Sequence, residues 1–464
     1  MTGPTETLAA WLSTLDSDAV PDRVLTRAKH LVLDGVGCAL VGAQLPWSRT
    51  AVDAVTPLEG DGAATVIGWG RTTSPAAAAL LNGTFIQGFE LDDFHPLAPL
   101  HTCSLVLPSL FATAGVLGRA SGPDFLLATV AGFEVGPRVG LALHGTQMLN
   151  RGWHSGSVFG THASAAAAGV LRGLSTAEFE DALGLAATQS AGLMAAQYEA
   201  MSKRMHHGFA ARNGFYAAGL AAGGYTGIKR VFEREYGGFL STFGEGHDPD
   251  PEQLTAGLGT VWHTELTVIK SYAAMGGLHG AIDAALRLRD KVSAEDVEHI
   301  DLDVAGTVYH HGWWPPERPL TAIGAQMNIG YAVAVALLDG QVLPEQFTSA
   351  RIDADDVWRL LPKVRVRHDE AIDAAPPAAR FATRLTIATR DGARHEEYVV
   401  QPRGGPANPL TNDDIVEKYR ALAGRVTAPD RAGAIEKAVL ALDTSDTVTD
   451  LIALLAPPVA GALD

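Results

Sequence analysis

Residues able to bind and move protons gather in a few short segments. In MSKRMHHGFAARNG (201–214), Lys203, Arg204, His206 and His207 share one glycine-bounded stretch of a chain whose formal net charge is −17. Further candidates are Glu90, Asp92, Asp93 and His95 in FELDDFHP, His101 in LHTCS, and His154 in GWHSGS. Lys270 and Tyr272 lie in KSYAAMGGLHGA, and Tyr309, His310 and His311 in VYHHGWW. In so acidic a chain, any site that binds an anion must be a local gathering of bases such as that in 201–214. Each residue alone also has a plain structural reading. A histidine beside small residues is commonly a hydrogen-bonded core residue, Lys203 and Arg204 could form a solvated face, and Asp92 with Asp93 could cap a helix. DDFH with His101 could begin a metal site, but no third ligand is fixed, so no metal is expected.

Composition narrows the setting. The chain has 464 residues, 47% of them hydrophobic and 19% charged, enough to bury at least one large core. Its negative balance disfavours nucleic acid and anionic membrane as partners. Only Cys38 and Cys103 occur, which excludes a disulfide framework and a thiolate metal cage and fits a reducing cytoplasm. The first residues lack a basic leader, and no run of about 18 uninterrupted apolar residues appears, so the sequence reads as soluble and cytoplasmic. No GxxxxGK[ST] loop, GxSxG elbow or HExxH is present, and GGLHGA follows no expected strand. Nucleotide chemistry is not expected, nor is any cofactor.

These residues need elements to position them. From about residue 5 to 262, Ala, Leu and Gly recur at three- and four-residue spacing, which predicts helices throughout. Ser175 or Thr176 followed by Glu178 and Glu180 predicts a helix start, and Gly152, Gly156 and Gly160, four apart, suggest tight helix packing. After Trp262 the pattern changes. EHIDLDVAGTVYH and KVRVRHD alternate as strands, and ATRLTIATRDGARHEEYVV predicts a hairpin turning at Asp391 and Gly392. SAEDVEHI, NIGYAVAVALLDG and the stretch from Asn408 onward read as helical. The expected fold is mainly α: a large helical domain from residues 1–262 and 405–464, with an inserted α+β lid domain at 263–404.

Five segments in order carry a resemblance: FELDDFHPLAPLHTCSLVLPSL, GWHSGSVFGTHASAAAAGVLRGL, SKRMHHGFAARNGFYAAGLAAGGYTG, KSYAAMGGLHGAIDAAL and MNIGYAVAVALLDG. Together they resemble the MmgE/PrpD family, which includes 2-methylcitrate dehydratase, cis-aconitate decarboxylase and iminodisuccinate epimerase. The likeness runs from AKHLVLDGVGCALVG to DIVEKYRALAG. It implies the same helical domain with an α+β lid, a homodimer, and an active site in the cleft between domains. Position by position it implies catalytic His101, His154 and Lys203 from the helical domain, with Lys270 and Tyr309 from the lid. Glu90, Asp92, Asp93, Phe94, His206 and Met275 are the implied substrate-binding residues. Phe94 replaces a small hydroxyl residue, LHTCS replaces the usual His-Pro-Ser, and Met275 stands where the decarboxylase has histidine. KSYAAM also lacks the proline and paired cysteines often found after the lysine. Phe94, Trp313 and Trp314 suggest a more apolar or bulkier ligand than a plain tricarboxylate.

The implied chemistry places or removes charge on carbon next to a carboxylate, forming an enolate-like dianion that needs several fixed cations. Lys203 and Lys270 would supply them. Two like charges about 4 Å apart repel by roughly 4 kcal/mol at an effective dielectric of about 20, close to three pKa units. Crowding could thus free His154 or Lys203 as the base, with Tyr309 or His101 serving the leaving group or the opposite face and Asp92 and Asp93 orienting them. The first expectation is a cofactor-independent dehydratase of a small hydroxy-carboxylic acid. Met275 ranks decarboxylation second. An epimerase or isomerase, a silent binding homologue and a metal-dependent hydrolase are further alternatives.

Overall fold

The computed structural model describes residues 3–197, 200–376, 379 and 381–463. The chain forms two compact units. One comprises Met1–Gly88, Asp92–Thr267 and Asn412–Gly461; the other comprises Phe89–Leu91, Val268–Thr411 and Ala462–Asp464.

The first unit is mainly helical. Helix α1, Asp22–Ala43, is buried continuously from Leu31 to Ala43. Helix α2, Pro75–Ile86, starts where the Ser74 hydroxyl accepts from the Ala77 N–H, with proline in its first turn. Helix α3, Cys103–Leu117, follows His101, and helix α4, Gly122–Ala142, is capped by Ser121. α4 is long and apolar enough to cross a membrane, but its most apolar window is 89% buried inside the protein. It also carries Glu134 and Arg138, paired at 3.5 Å. The short helix α5, Ser155–Val158, leads into α6, Gly160–Arg172. Helix α7, Thr176–Ala187, opens with the capping box that the sequence predicts, Ser175 and Glu178 bonding reciprocally. Helix α8, Ser202–Ala222, carries the opening motif.

Small residues let these helices meet backbone to backbone. A Cβ on Gly208 would lie 2.1 Å from the Leu80 carbonyl, and one on Gly83 would lie 2.9 Å from Gly208 Cα, so α2 and α8 cross in direct contact. That crossing fixes which face of α8 turns inward. Gly160 packs on Leu105, but Gly152 does not serve helix packing: it has φ +95° in a turn, and a Cβ there would meet nothing within 4 Å.

Two departures from the expected helical run have local causes. Ala64–Val66 (β1) and Arg71–Thr73 (β2) form an antiparallel hairpin whose connection uses Gly68 and Gly70 at positive φ. Much of 223–262 is turn and loop, with only short helices such as Phe239–Phe243.

The second unit contains helix α9, His279–Arg289, and a four-stranded sheet. Its strands are β3 (Val297–Val304), β4 (Val364–His368), β5 (Thr383–Thr389) and β6 (Arg394–Val399), in the order β4-β3-β5-β6. The β3–β4 pair is parallel and the other two are antiparallel, with Leu302 opposite both Val366 and Leu385. SAEDVEHI is not a helix: its last residues begin β3, where Val297, Ile300, Leu302 and Val304 are buried as a strand's period of two dictates. Helix α10, Gly306–Gly312, follows β3, and α11, Ile329–Asp339, is capped by Asn328.

Candidate active site

In the first unit the predicted bases converge. Lys203, His206 and His207 occupy positions i, i+3 and i+4 of α8 and so share a face. All three are buried, as is His154, which precedes α5. The His154 ring centroid lies 4.3 Å from that of His206 and 5.4 Å from that of His207; the His101 and His207 centroids are 5.3 Å apart. His154 is held by its own N–H, which donates to the Gly192 carbonyl at 3.1 Å. The Ser157 hydroxyl donates to the His206 carbonyl at 3.0 Å, tying α5 to α8.

Burial pulls the His154 imidazole well below its ordinary range, and the neighbouring charges of His207, His206, Lys203 and His101 add to that. His206 is lowered to about 4, by burial first and then by Lys203. Loss of water thus outweighs the like-charge crowding that the sequence suggests. Near neutral pH His154 and His206 are unprotonated.

The paired acids divide their work. Asp92 is fully buried, with Oδ1 3.3 Å from His101 Nδ1. Asp93 instead accepts from the backbone N–H groups of Thr102 and Cys103, each at 2.9 Å, and caps α3. Both Asp93 carboxylate oxygens thus hold the start of the helix that follows His101, the capping role that the sequence also allows. Burial, reinforced by Asp92, raises the Asp93 carboxyl to about 7 against the pull of those N–H groups. Phe94 is half-buried beside them. Further in, Lys418 of the helix Asn412–Val426 pairs with Asp34 of α1 at 2.6 Å, both buried.

His95 belongs to a separate pair. Its Nδ1 accepts from the Ala98 N–H at 3.0 Å, which leaves the proton on Nε2 to donate to His263 Nδ1 at 3.1 Å. Burial lowers His95 to about 3 and His263 to about 4. This pair braces the backbone beyond Asp93 without using Asp93 itself.

The second unit holds the other predicted residues. Lys270 Nζ lies 2.8 Å from Glu90 Oε2, and both are buried. Glu90 has φ +56°, and its segment is pinned by the Gln326 side chain, which donates to the Phe89 and Ala273 carbonyls. Glu90 is therefore the counter-ion of Lys270. Tyr272 donates to Asp283 at 2.5 Å, and burial raises its hydroxyl far above the usual phenol range. Tyr309 is half-buried on α10 with its ring beside His310, and Met275 is half-buried with its methyl near Gly277 and Gly312.

Sequence reasoning groups His207 with the other bases of 201–214 without giving it a role, and passes over Ser104. Ser104 Oγ lies 2.6 Å from His207 Nδ1 and donates to the His101 carbonyl at 3.0 Å. The usable signal was the i, i+4 spacing of His207 from Lys203. Nothing in LHTCS singles out its serine. Among the described residues, no group of three or more His, Cys, Asp or Glu side chains is arranged to hold a metal ion.

Residues 6–252 match the MmgE/PrpD N-terminal domain and residues 272–444 match the MmgE/PrpD C-terminal domain. The chain belongs to the MmgE/PrpD family and is a lyase. It is 46% identical to the cis-aconitate decarboxylase-like protein oryM of Aspergillus oryzae, over 97% of each chain. It is 43% identical to cis-aconitate decarboxylase of Aspergillus terreus, over 99% of this chain and 97% of the relative. Identity to the human cis-aconitate decarboxylase is 29%, over 98% of this chain and 95% of that protein.

Proposed function

We propose that this lyase decarboxylates an unsaturated tricarboxylate of the cis-aconitate type. The names of relatives aligned over nearly the whole chain support decarboxylation over the dehydration that Met275 had favoured. One structural observation carries the reading: Lys203 shares the α8 face of His206 and His207, whose rings lie 4.3 and 5.4 Å from that of His154, and burial lowers the His154 and His206 imidazoles.

Proton balance explains why that matters. When carbon dioxide leaves the CH2–COO⁻ arm of cis-aconitate, the electron pair of the broken C–C bond forms a new double bond to the central carbon. The original double bond shifts its electrons to the outer carbon, where the adjacent carboxylate holds them as an enolate-like dianion. That carbon takes one proton, giving 2-methylidenebutanedioate. Decarboxylation therefore consumes one proton per turnover, whereas dehydration of a hydroxy acid consumes none. In this scheme Lys203 stabilises the dianion and donates the proton. His101, backed by Asp92, orients a substrate carboxylate, and His154 and His206 supply hydrogen bonds without adding positive charge. Burial of the cluster strengthens each of these interactions relative to water. Lys270 and Tyr309 are proposed as further participants, the lysine as a carboxylate-binding cation whose position Glu90 maintains. No step requires a cofactor.

Separate incubations with cis-aconitate and 2-methylcitrate, each followed for carbon dioxide release and for proton uptake at constant pH, test the reading. With the carbon dioxide swept out by an inert gas before it hydrates, the expected result is one proton taken up per carbon dioxide released from cis-aconitate. Water elimination from 2-methylcitrate, with no carbon dioxide from cis-aconitate, would overturn it in favour of the dehydratase.

A further inference from the structure

We infer that His207 is a positioning residue, protonated on Nδ1 and bonded there to Ser104, that sets the spacing between His101 and His154. The inference rests on the proposed use of those two histidines in turnover, but its central geometry can be tested without turnover.

The hydrogen-bond arithmetic comes first. Ser104 has one hydroxyl proton and two neighbours within reach, the His101 carbonyl at 3.0 Å and His207 Nδ1 at 2.6 Å. A carbonyl oxygen only accepts, so the hydroxyl proton points to His101. The Ser104 oxygen must then accept from His207, which places the imidazole proton on Nδ1. This is the reverse of the tautomer that an unconstrained neutral histidine favours. Ser104 is itself held in place because Asp93 caps the first turn of α3.

Packing fixes the other side of the ring. A Cβ on Gly156 would fall 1.9 Å from His207 Nε2 and 2.1 Å from its Cδ2, so the imidazole lies directly against the α5 backbone. Gly156 is two residues after His154, and Ser104 is three after His101. One imidazole thus braces both segments, with its ring 5.3 Å from that of His101 and 5.4 Å from that of His154. Because Gly208 presses on α2, His207 is anchored by rigid helices on its own side as well.

The direct test is nitrogen NMR of the wild-type protein with ¹⁵N-labelled histidine. His207, assigned by its absence from H207N, is expected to show a protonated Nδ1 and an unprotonated Nε2, and S104A is expected to lose that preference. An Nε2-protonated His207 in the wild type overturns the inference. With the substrate that the wild type turns over, S104A and H207Q are each expected to lower kcat about 10- to 100-fold with KM changed less than about 3-fold. H207N, whose amide keeps a donor near the Nδ1 position, should retain more activity than H207Q. The loss in the S104A/H207Q double variant should be close to either single loss, because both break one bridge; multiplying losses would refute the shared role. Failure of the wild type to decarboxylate cis-aconitate would overturn the proposed function while leaving the tautomer result to stand or fall separately.

Discussion

His162 offers a quantitative test of what burial does in this protein. It lies on α6, is 0% exposed, and packs against Phe232 and Phe239 with ring centroids 5.1 and 4.6 Å away. Burial lowers its imidazole from 6.5 to about 3, and the nearby Phe159 carbonyl opposes this only in part. Between those values the unfolded chain binds a proton that the folded chain refuses. The stability contribution is therefore complete above about pH 6.5 and is lost as pH falls toward about 3. For these two values, the linkage relation gives a loss of about 2 kcal/mol between about pH 7.5 and about pH 5. His162→Leu removes the titration while keeping an apolar side chain of similar size. Urea unfolding at the two pH values, followed by circular dichroism, should show the wild type losing about 2 kcal/mol more than the variant. His95, His206 and His263 titrate in both proteins, so they cancel in the difference. Parallel behaviour, within about 0.5 kcal/mol, would refute the claim that this buried imidazole stays neutral.

Three further outcomes are expected. Lys203→Met should reduce kcat about 10²- to 10³-fold while the thermal midpoint stays nearly unchanged; near wild-type turnover would remove Lys203 from the chemistry. Lys418→Met leaves the buried Asp34 without its partner and should destabilise by about 3 to 5 kcal/mol in denaturant titration. Adding Asp34→Asn should recover part of that loss, and no recovery would deny the pairing. Glu134→Leu strips the acceptors of the His263 and Thr264 N–H groups, bonded at 3.1 and 3.0 Å, and should cost roughly 3 kcal/mol by the same titration. A loss below about 1 kcal/mol would show that other acceptors replace the carboxylate.

Patterns carried by neighbours in sequence were legible before the structure. Ser175 with Glu178 gives a helix start because both partners of the capping box lie within one turn. Asp391 and Gly392 give the β5–β6 turn for the same local reason. The shared face of Lys203 and His206 also follows from spacing along one helix. Other features depend on residues far apart in the chain. Two adjacent aspartates look interchangeable in DDFH, yet Asp93 meets the start of α3 while Asp92 meets His101. Ser104 acquires its role only because α8 brings His207 to it, 103 positions away. The Gly152, Gly156, Gly160 series looks uniform, but its members form a turn, an imidazole seat and a contact with Leu105.

The pairing of Lys418 with Asp34 bears on how the protein is made. Asp34 is synthesised early, but its counter-charge arrives only after all of Val268–Thr411 has been translated. Asp34 and Lys418 are 384 positions apart, so at about 5 to 20 residues per second that interval is roughly twenty to eighty seconds. Throughout it, α1 cannot seal its carboxylate away from water without leaving an isolated charge, so the nascent helical layer stays incomplete. Chains that stall or are cut before Asn412 should consequently be captured by chaperones and proteases instead of accumulating as a shortened folded species.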